Sequence, residues 1–252
     1  MVNRTNRGQR AIDRKAYVRD VYSKEWPNGR AQYGFTDYDK NMCQLICENV
    51  PERSKLLEVA AGTGDPFADY FQKHGYDVYG LDIAPNLIDL CQRLNPEIKC
   101  EVGDAENLPF QEGYFDCVYC LHSTWYFSDL RRAICEMIRT TRDGGFIIFD
   151  IMNRHHKLIK RSYHRNLFLK TTFFGKSLIA LHRGVIKKRG AIWQDFVVHE
   201  TPTYPEQVYA YLSQTEISSY NVLVVDANSS LLQCDELDEL ERFARVVFVL
   251  RK

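Results

Sequence analysis

The chain has 252 residues, 45% of them hydrophobic, with 33 Lys plus Arg balanced by 33 Asp plus Glu. That apolar content can bury one full core with a lid, and a net charge of zero gives no long-range field for nucleic acid. Eight cysteines do not make a disulfide framework at this length, no run approaches a membrane span, and the N-terminus lacks the apolar core of a secretion signal; a reducing cytoplasm is the expected compartment.

Residues 1 to about 10 are polar and basic and are expected to be loosely held. Ala11 to Trp26 carries a partial apolar face of Tyr17, Val18, Val21 and Tyr22, and Pro27-Asn28-Gly29 breaks it. Phe35 to Val50 predicts a second helix, with Tyr38, Met42, Leu45 and Ile46 on one stripe and Thr36 or Asp37 as cap. Lys55-Leu-Leu-Glu-Val-Ala-Ala-Gly-Thr-Gly-Asp65 then reads as an apolar strand that ends in a carboxylate and empties into a glycine turn. Asp65 offers an N-cap and Pro66 a first helical position, and Phe67, Tyr70, Phe71 and His74 recur at helical spacing until Gly75.

Two kinds of ligand use such a turn. A dinucleotide needs Gly-x-Gly-x-x-Gly, with its pyrophosphate on the helix N-terminus. Here the third glycine position falls on Phe67, and Asp65 puts a negative charge where the pyrophosphate needs room. The other pattern, acidic-x-Gly-x-Gly-x-Gly, is written here as Glu58-Val-Ala60-Ala-Gly62-Thr-Gly64. It resembles motif I of the class I S-adenosylmethionine-dependent methyltransferases, with Ala60 in place of the first glycine.

Strand and helix keep alternating, which predicts a parallel α/β sheet. Asp77 to Asp82 is a second strand, Pro85 to Leu94 a helix, Ile98 to Val102 a third strand, Phe115 to Leu121 a fourth, Leu130 to Thr141 a helix and Phe146 to Ile151 a fifth strand. Glu58, Asp82 and Asp104 all fall at or just beyond strand ends, where ligands gather in open parallel sheets. Asp82 suits ribose hydroxyls, Asp104 an adenine amino group, and Glu58 the cationic methionine portion of a sulfonium cofactor.

Glu58 to Gly64, Leu81-Asp82-Ile83, Gly103-Asp104-Ala105-Glu106-Asn107-Leu108-Pro109-Phe110, Phe115-Asp116 and Gly144-Gly145 follow one another as in ubiquinone/menaquinone-biosynthesis-like methyltransferases (methyltransferase type 11). The resemblance covers about Leu56 to Asp150. It implies a Rossmann-like, doubly wound, seven-stranded sheet whose last strand is antiparallel, with Val222–Asp226 and Arg245–Leu250 as strands six and seven. It implies S-adenosyl-L-methionine as cofactor, held by Glu58, Ala60, Gly62, Gly64, Asp82, Ile83, Asp104, Ala105 and Leu121. An N-terminal aromatic, Tyr22 or Tyr33, is expected to lie over it. The family accepts many acceptors and does not name the substrate.

The implied organisation is an N-terminal helical segment (1–50), a cofactor domain (51–151 with 205–252) and an inserted lid (152–204). From Ile151 to Gln194 the insertion holds no Asp or Glu, eleven Lys and Arg, and four of the seven histidines. Some of its cations, Arg154 first, are expected to grip an anionic or aromatic small-molecule acceptor, with His155 beside it. The alternative is a nucleic-acid or protein methyltransferase docking through this surface. Methyl transfer to a hydroxyl is helped by a general base, and His122, directly after the fourth strand, is the first candidate. Trp125 and Tyr126 are expected to line the acceptor site. No metal site is expected.

Overall fold

A computed structural model describes residues 14–24, 34–171, 200–234 and 237–252. In chain order these form α1 (Arg14–Lys24), α2 (Asp37–Asn49), β1 (Lys55–Val59), α3 (Phe67–Lys73), β2 (Asp77–Asp82), α4 (Pro85–Leu94), β3 (Lys99–Val102) and β4 (Phe115–Cys120). A 3-10 turn (Thr124–Tyr126) precedes α5 (Leu130–Thr140), β5 (Thr141–Met152), α6 (Lys157–Thr171), α7 (Pro205–Leu212), β6 (Ser219–Val225), β7 (Leu231–Gln233) and β8 (Arg245–Arg251). The strands form one sheet in the order β3-β2-β1-β4-β5-β8-β6-β7. The first five are parallel, and β8 lies antiparallel between β5 and β6. The sheet has eight strands rather than the expected seven, because Leu231–Gln233 adds an antiparallel edge to β6.

Central strands buried on both faces read as continuous apolar runs, and alternate residues feed two cores. Leu57, Val118 and Ile147 pack under α5 and α7 on one face; Leu56, Cys117 and Ile148 pack under α2, α3 and α4 on the other. The α2 stripe Tyr38, Met42 and Ile46 is buried at four-residue spacing. Thr36 caps it in a capping box, Thr36 Oγ1 accepting from Asp39 N while the Thr36 N–H donates to Asp39 Oδ2 at 2.8 Å. Cys91 and Cys100 are joined in one disulfide that ties α4 to β3, a single local crosslink that the cysteine count did not suggest. Cys117 and Cys120 are both fully buried in the core.

An antiparallel last strand begins where the parallel strands end. Arg245, first in β8, pairs in register with Met152, last in β5. Its guanidinium bonds the fully buried Asp150 of β5 and lies 4.4 Å over the Tyr38 ring; the Tyr38 hydroxyl donates to the same carboxylate at 2.8 Å. The same Nη1 donates to His122 Nδ1 at 2.8 Å, and His122 Nε2 lies 2.8 Å from buried Asp39. Four elements are thereby tied behind the carboxyl ends of β4 and β5.

Removing one partner of such a pair leaves a buried charge uncompensated, a cost of roughly 3 kcal/mol. Arg245→Ala is therefore expected to lower the urea midpoint of unfolding by an amount equivalent to roughly 3 kcal/mol, and Arg251→Ala, on the exposed end of the same strand, to leave it nearly unchanged.

Candidate active site

The carboxyl ends of β1 to β4 open into a cavity of about 260 Å³. Its floor is the turn after β1, with Ala60, Ala61 and Gly62, and its walls include Asp82 and Ile83 after β2, Asp104 and Ala105 after β3, and Leu121 and His122 after β4. From α1, Lys15, Val18 and Tyr22 face it at three- and four-residue spacing. Trp125 and Tyr126 of the 3-10 turn and Glu200 of the returning insertion close the far side.

Two buried carboxylates build the floor. Glu58 Oε2 accepts the Ala68 N–H at 3.0 Å, serving the first turn of α3. This replaces the expected Asp65 cap: the helix starts at Phe67, and its N-cap residue Pro66 makes no side-chain cap bond. Asp82 Oδ2 accepts the Gly62 N–H and Asp82 Oδ1 the Ala84 N–H, both at 2.9 Å. Burial pushes both carboxyls above the usual carboxylate range, against the hydrogen bonds that favour their charged forms. The Gly62 amide of the turn and the Ala68 amide of α3 are thus spent inside the protein.

At the third strand, Asp104 and Glu106 hold the Lys15 ammonium between them at 2.6 Å each. Burial works against that ammonium, and its bonds to Asp104 and Glu106 outweigh it, raising the Lys15 pKa. The other oxygen of Glu106 takes the backbone N–H groups of Ser128 and Asp129. A Cβ at Gly103 would lie 2.4 Å from Leu81 Cδ1, so a larger residue there would have to displace that buried side chain.

Most of the residues singled out from sequence come together here, and some do not. Gly64 does not line the cavity; with φ 82° it leaves room for Cys91, whose Sγ would lie 3.0 Å from a Cβ placed there. Tyr33 falls outside the described residues, whereas Tyr22 lines the cavity with its ring 5.5 Å from that of Tyr126 in an edge contact. His122 lines the wall, with Nδ1 accepting a hydrogen bond from Arg245 Nη1 and Nε2 2.8 Å from Asp39, so both ring nitrogens already have partners. The base role expected of it thus falls on a ring whose two nitrogens are both engaged within the protein.

Arg154 and His155 also depart from expectation. The Arg154 guanidinium lies 4.7 Å over Tyr163 and 4.8 Å over Tyr204, and His155 Nε2 pairs with Glu206 at 2.7 Å; neither lines the cavity. Of the insertion's other cations, those between residues 172 and 199 lie outside the described residues. The two ends of the insertion are pinned together: Asn153 bridges Thr203, and Thr201 N–H donates to the Trp125 carbonyl at 2.8 Å. Arg14 donates to both Thr201 Oγ1 and that carbonyl, fastening α1 to the same corner.

Sequence reasoning missed Lys15, Glu200, Asp39, Asp150 and Arg245. Asp150 carried a signal, an acid at a strand end, like Glu58 and Asp82. Lys15 and Glu200 are far apart in sequence and carried none.

Residues 57–149 match the family described as methyltransferase domain. The demethylmenaquinone methyltransferase of Renibacterium salmoninarum is 35% identical over 97 residues, 37% of this chain and 39% of that one. The ajmaline N-methyltransferase of Rauvolfia serpentina is 27% identical over 127 residues, 47% of this chain and 43% of that one. The chain thus spans about two fifths of the length of these curated relatives. A crystal structure of a SAM-dependent methyltransferase from Thermotoga maritima superposes with a TM-score of 0.58 at 16% identity, covering 94% of this chain and 97% of that one, a likeness of fold.

Ala60 sits where the motif has glycine and adopts φ 61°. That conformation costs an L-residue roughly 1–2 kcal/mol, against roughly 0.4–1 kcal/mol of extra chain entropy that glycine would lose. Ala60→Gly is expected to stabilise the protein by roughly 0.5–1 kcal/mol, read as a higher midpoint in thermal unfolding.

Proposed function

We infer that this chain, whose residues 57–149 form a methyltransferase domain of the class I S-adenosylmethionine-dependent kind, methylates a small-molecule acceptor. One observation carries the reading of the site. The Gly62 amide of the turn and the Ala68 amide of α3, which a pyrophosphate there could use, are taken by Asp82 and Glu58, and what faces the cavity instead is carboxylate. A cofactor with a sulfonium, an ammonium and no phosphate fits that lining; a diphosphate does not.

When bound, S-adenosylmethionine supplies a methyl group already activated by its sulfonium. Asp82 would take the ribose hydroxyls, since each of its oxygens keeps a lone pair beyond its amide bond. Asp104, with Ile83 and Ala105 beside it, would take the adenine, and Glu58 the methionine cation. Tyr22 and the α1 face would cover the nucleoside and exclude water. The protein's work is alignment of acceptor and methyl, with no side chain required to form a bond. The relatives named above act on unlike small molecules, in keeping with a cofactor domain joined to a variable acceptor side.

Calorimetry with S-adenosylmethionine, S-adenosylhomocysteine and NAD tests the reading: the first two should bind and NAD should not. Binding of NAD alone would overturn it.

Glu58 yields a second expectation. Folding raises its pKa, so its protonated form is favoured in the ligand-free fold; that contribution is full at low pH and lost as pH rises through the folded-state value. A bound cation favours the charged form instead. Affinity for S-adenosylmethionine should therefore fall as pH falls through that value, with protons released on binding. Glu58→Gln should raise the ligand-free melting temperature at neutral pH, flatten the pH dependence and weaken binding roughly tenfold or more, the loss of one hydrogen bond to charge.

A further inference from the structure

The loop after β3 is built into the body of the protein. Asp104 Oδ1 accepts the Glu106 N–H at 2.9 Å, and Glu106 Oε1 accepts the Ser128 and Asp129 N–H groups at the head of α5. Further along, Glu136 Oε2 accepts the Leu108 N–H at 2.8 Å, and Arg139 donates to the Leu108 and Phe110 carbonyls at 2.9 and 2.8 Å. The loop is thereby strapped to α5, which is itself seated in the core through Ala133, Ile134 and Met137.

Helix α1 lies across the same loop and presents Lys15, Val18 and Tyr22 to the cavity. Its buried residues Val18 and Val21 form a small cluster with Tyr17, Tyr22, Ile83 and Tyr126, separate from the two cores of the sheet. Opening so small a cluster costs far less than opening a core. Lys15 joins this helix to the fixed loop, its ammonium 2.6 Å from both Asp104 Oδ2 and Glu106 Oε2. The Lys15 side chain is 34% exposed and that of Glu106 6%, so the junction is partly shielded yet within reach of salt. All three groups belong to the protein, so it forms without a ligand. Lysine, a point charge on a flexible stem, can leave and re-seat without rebuilding a planar fork. Each oxygen of Asp104 keeps a second lone pair, so an adenine amino group can share that carboxylate with Lys15.

We propose that Lys15 is a positioning residue that latches α1 shut over the adenine end of the cofactor site, so that cofactor enters and leaves only when the lysine lets go of Asp104 and Glu106. The assignment rests on the S-adenosylmethionine reading and adds a gate to it. A gate has a kinetic signature that a direct contact lacks. Losing a contact speeds departure alone, whereas losing a latch speeds arrival and departure together and moves Kd less than either rate.

Stopped-flow binding of S-adenosylhomocysteine to the full chain, followed by the fluorescence of Trp125 in the cavity wall, measures both rates. Lys15→Met keeps the apolar stem and removes the charge. It is expected to raise both rates about fivefold to tenfold while Kd changes less than about threefold. In the unaltered protein both rates should rise with added sodium chloride, and in Lys15→Met they should not. Hydrogen exchange on the ligand-free chain gives a readout independent of cofactor: the amides of residues 14–24 should exchange faster in Lys15→Met, and those of β1 should not change. A rise in the departure rate alone, or rates and exchange indifferent to Lys15→Met, overturns the proposal while leaving the cofactor reading standing. Failure of S-adenosylhomocysteine to bind overturns both. Should Lys15→Met not fold, the salt dependence of the two rates in the unaltered protein decides by itself.

Discussion

The site depends on two buried carboxylates that answer backbone N–H groups. Glu58 reaches from β1 to the first turn of α3, and Asp82 reaches from β2 to the turn after β1. Each bond fixes the course of the chain around the cavity, and each removes an amide that could otherwise hold an anion. The same pair leaves the cavity lined with acid, at the cost of burying two groups that prefer water. A ligand that brings positive charge would relieve that cost.

Behind the cavity a second polar assembly fixes the wall after β4. Arg245 joins Asp150, Tyr38 and His122, and His122 passes the connection to Asp39 in the capping box of α2. The ring of His122 also stacks near Phe67, 6.0 Å away, so it is held by charge on its edges and by aromatic contact on a face. A histidine so bound is a fixed surface for a ligand to pack on. The covering helix α1 and the returning insertion meet the same corner through Arg14, Thr201 and the Trp125 carbonyl, so both parts of the cover share one anchor.

Much of this was legible in the residue order. Alternating apolar runs and helical stripes give the elements, and a carboxylate at the end of β1 and of β2 gives two walls of the cavity. The turn glycines were read correctly as a turn, but their separate duties were not: Gly62 faces the cavity, whereas Gly64 makes room for Cys91 of α4. Histidine and arginine residues near strand ends misled for a common reason. A polar side chain beside a pocket looks free in one dimension, and only its neighbours reveal whether it has already found partners, as His122, His155 and Arg154 have.

The sequence by itself determined the parallel half of the sheet, the glycine turn and the acids after β1, β2 and β3, because local periodicity and strand-end position are properties of short segments. Tertiary structure alone decided the extra edge strand, the Lys15 bridge, the Arg245 assembly and the aromatic corner with Glu200. Each of these joins residues distant in the chain, such as Lys15 with Asp104, Arg245 with His122 and Tyr126 with Glu200, or depends on the direction in which the last strands enter the sheet. Nothing in a short window encodes which distant charge will come to lie 3 Å from another; that is set by the packing of elements whose apolar faces must be buried first.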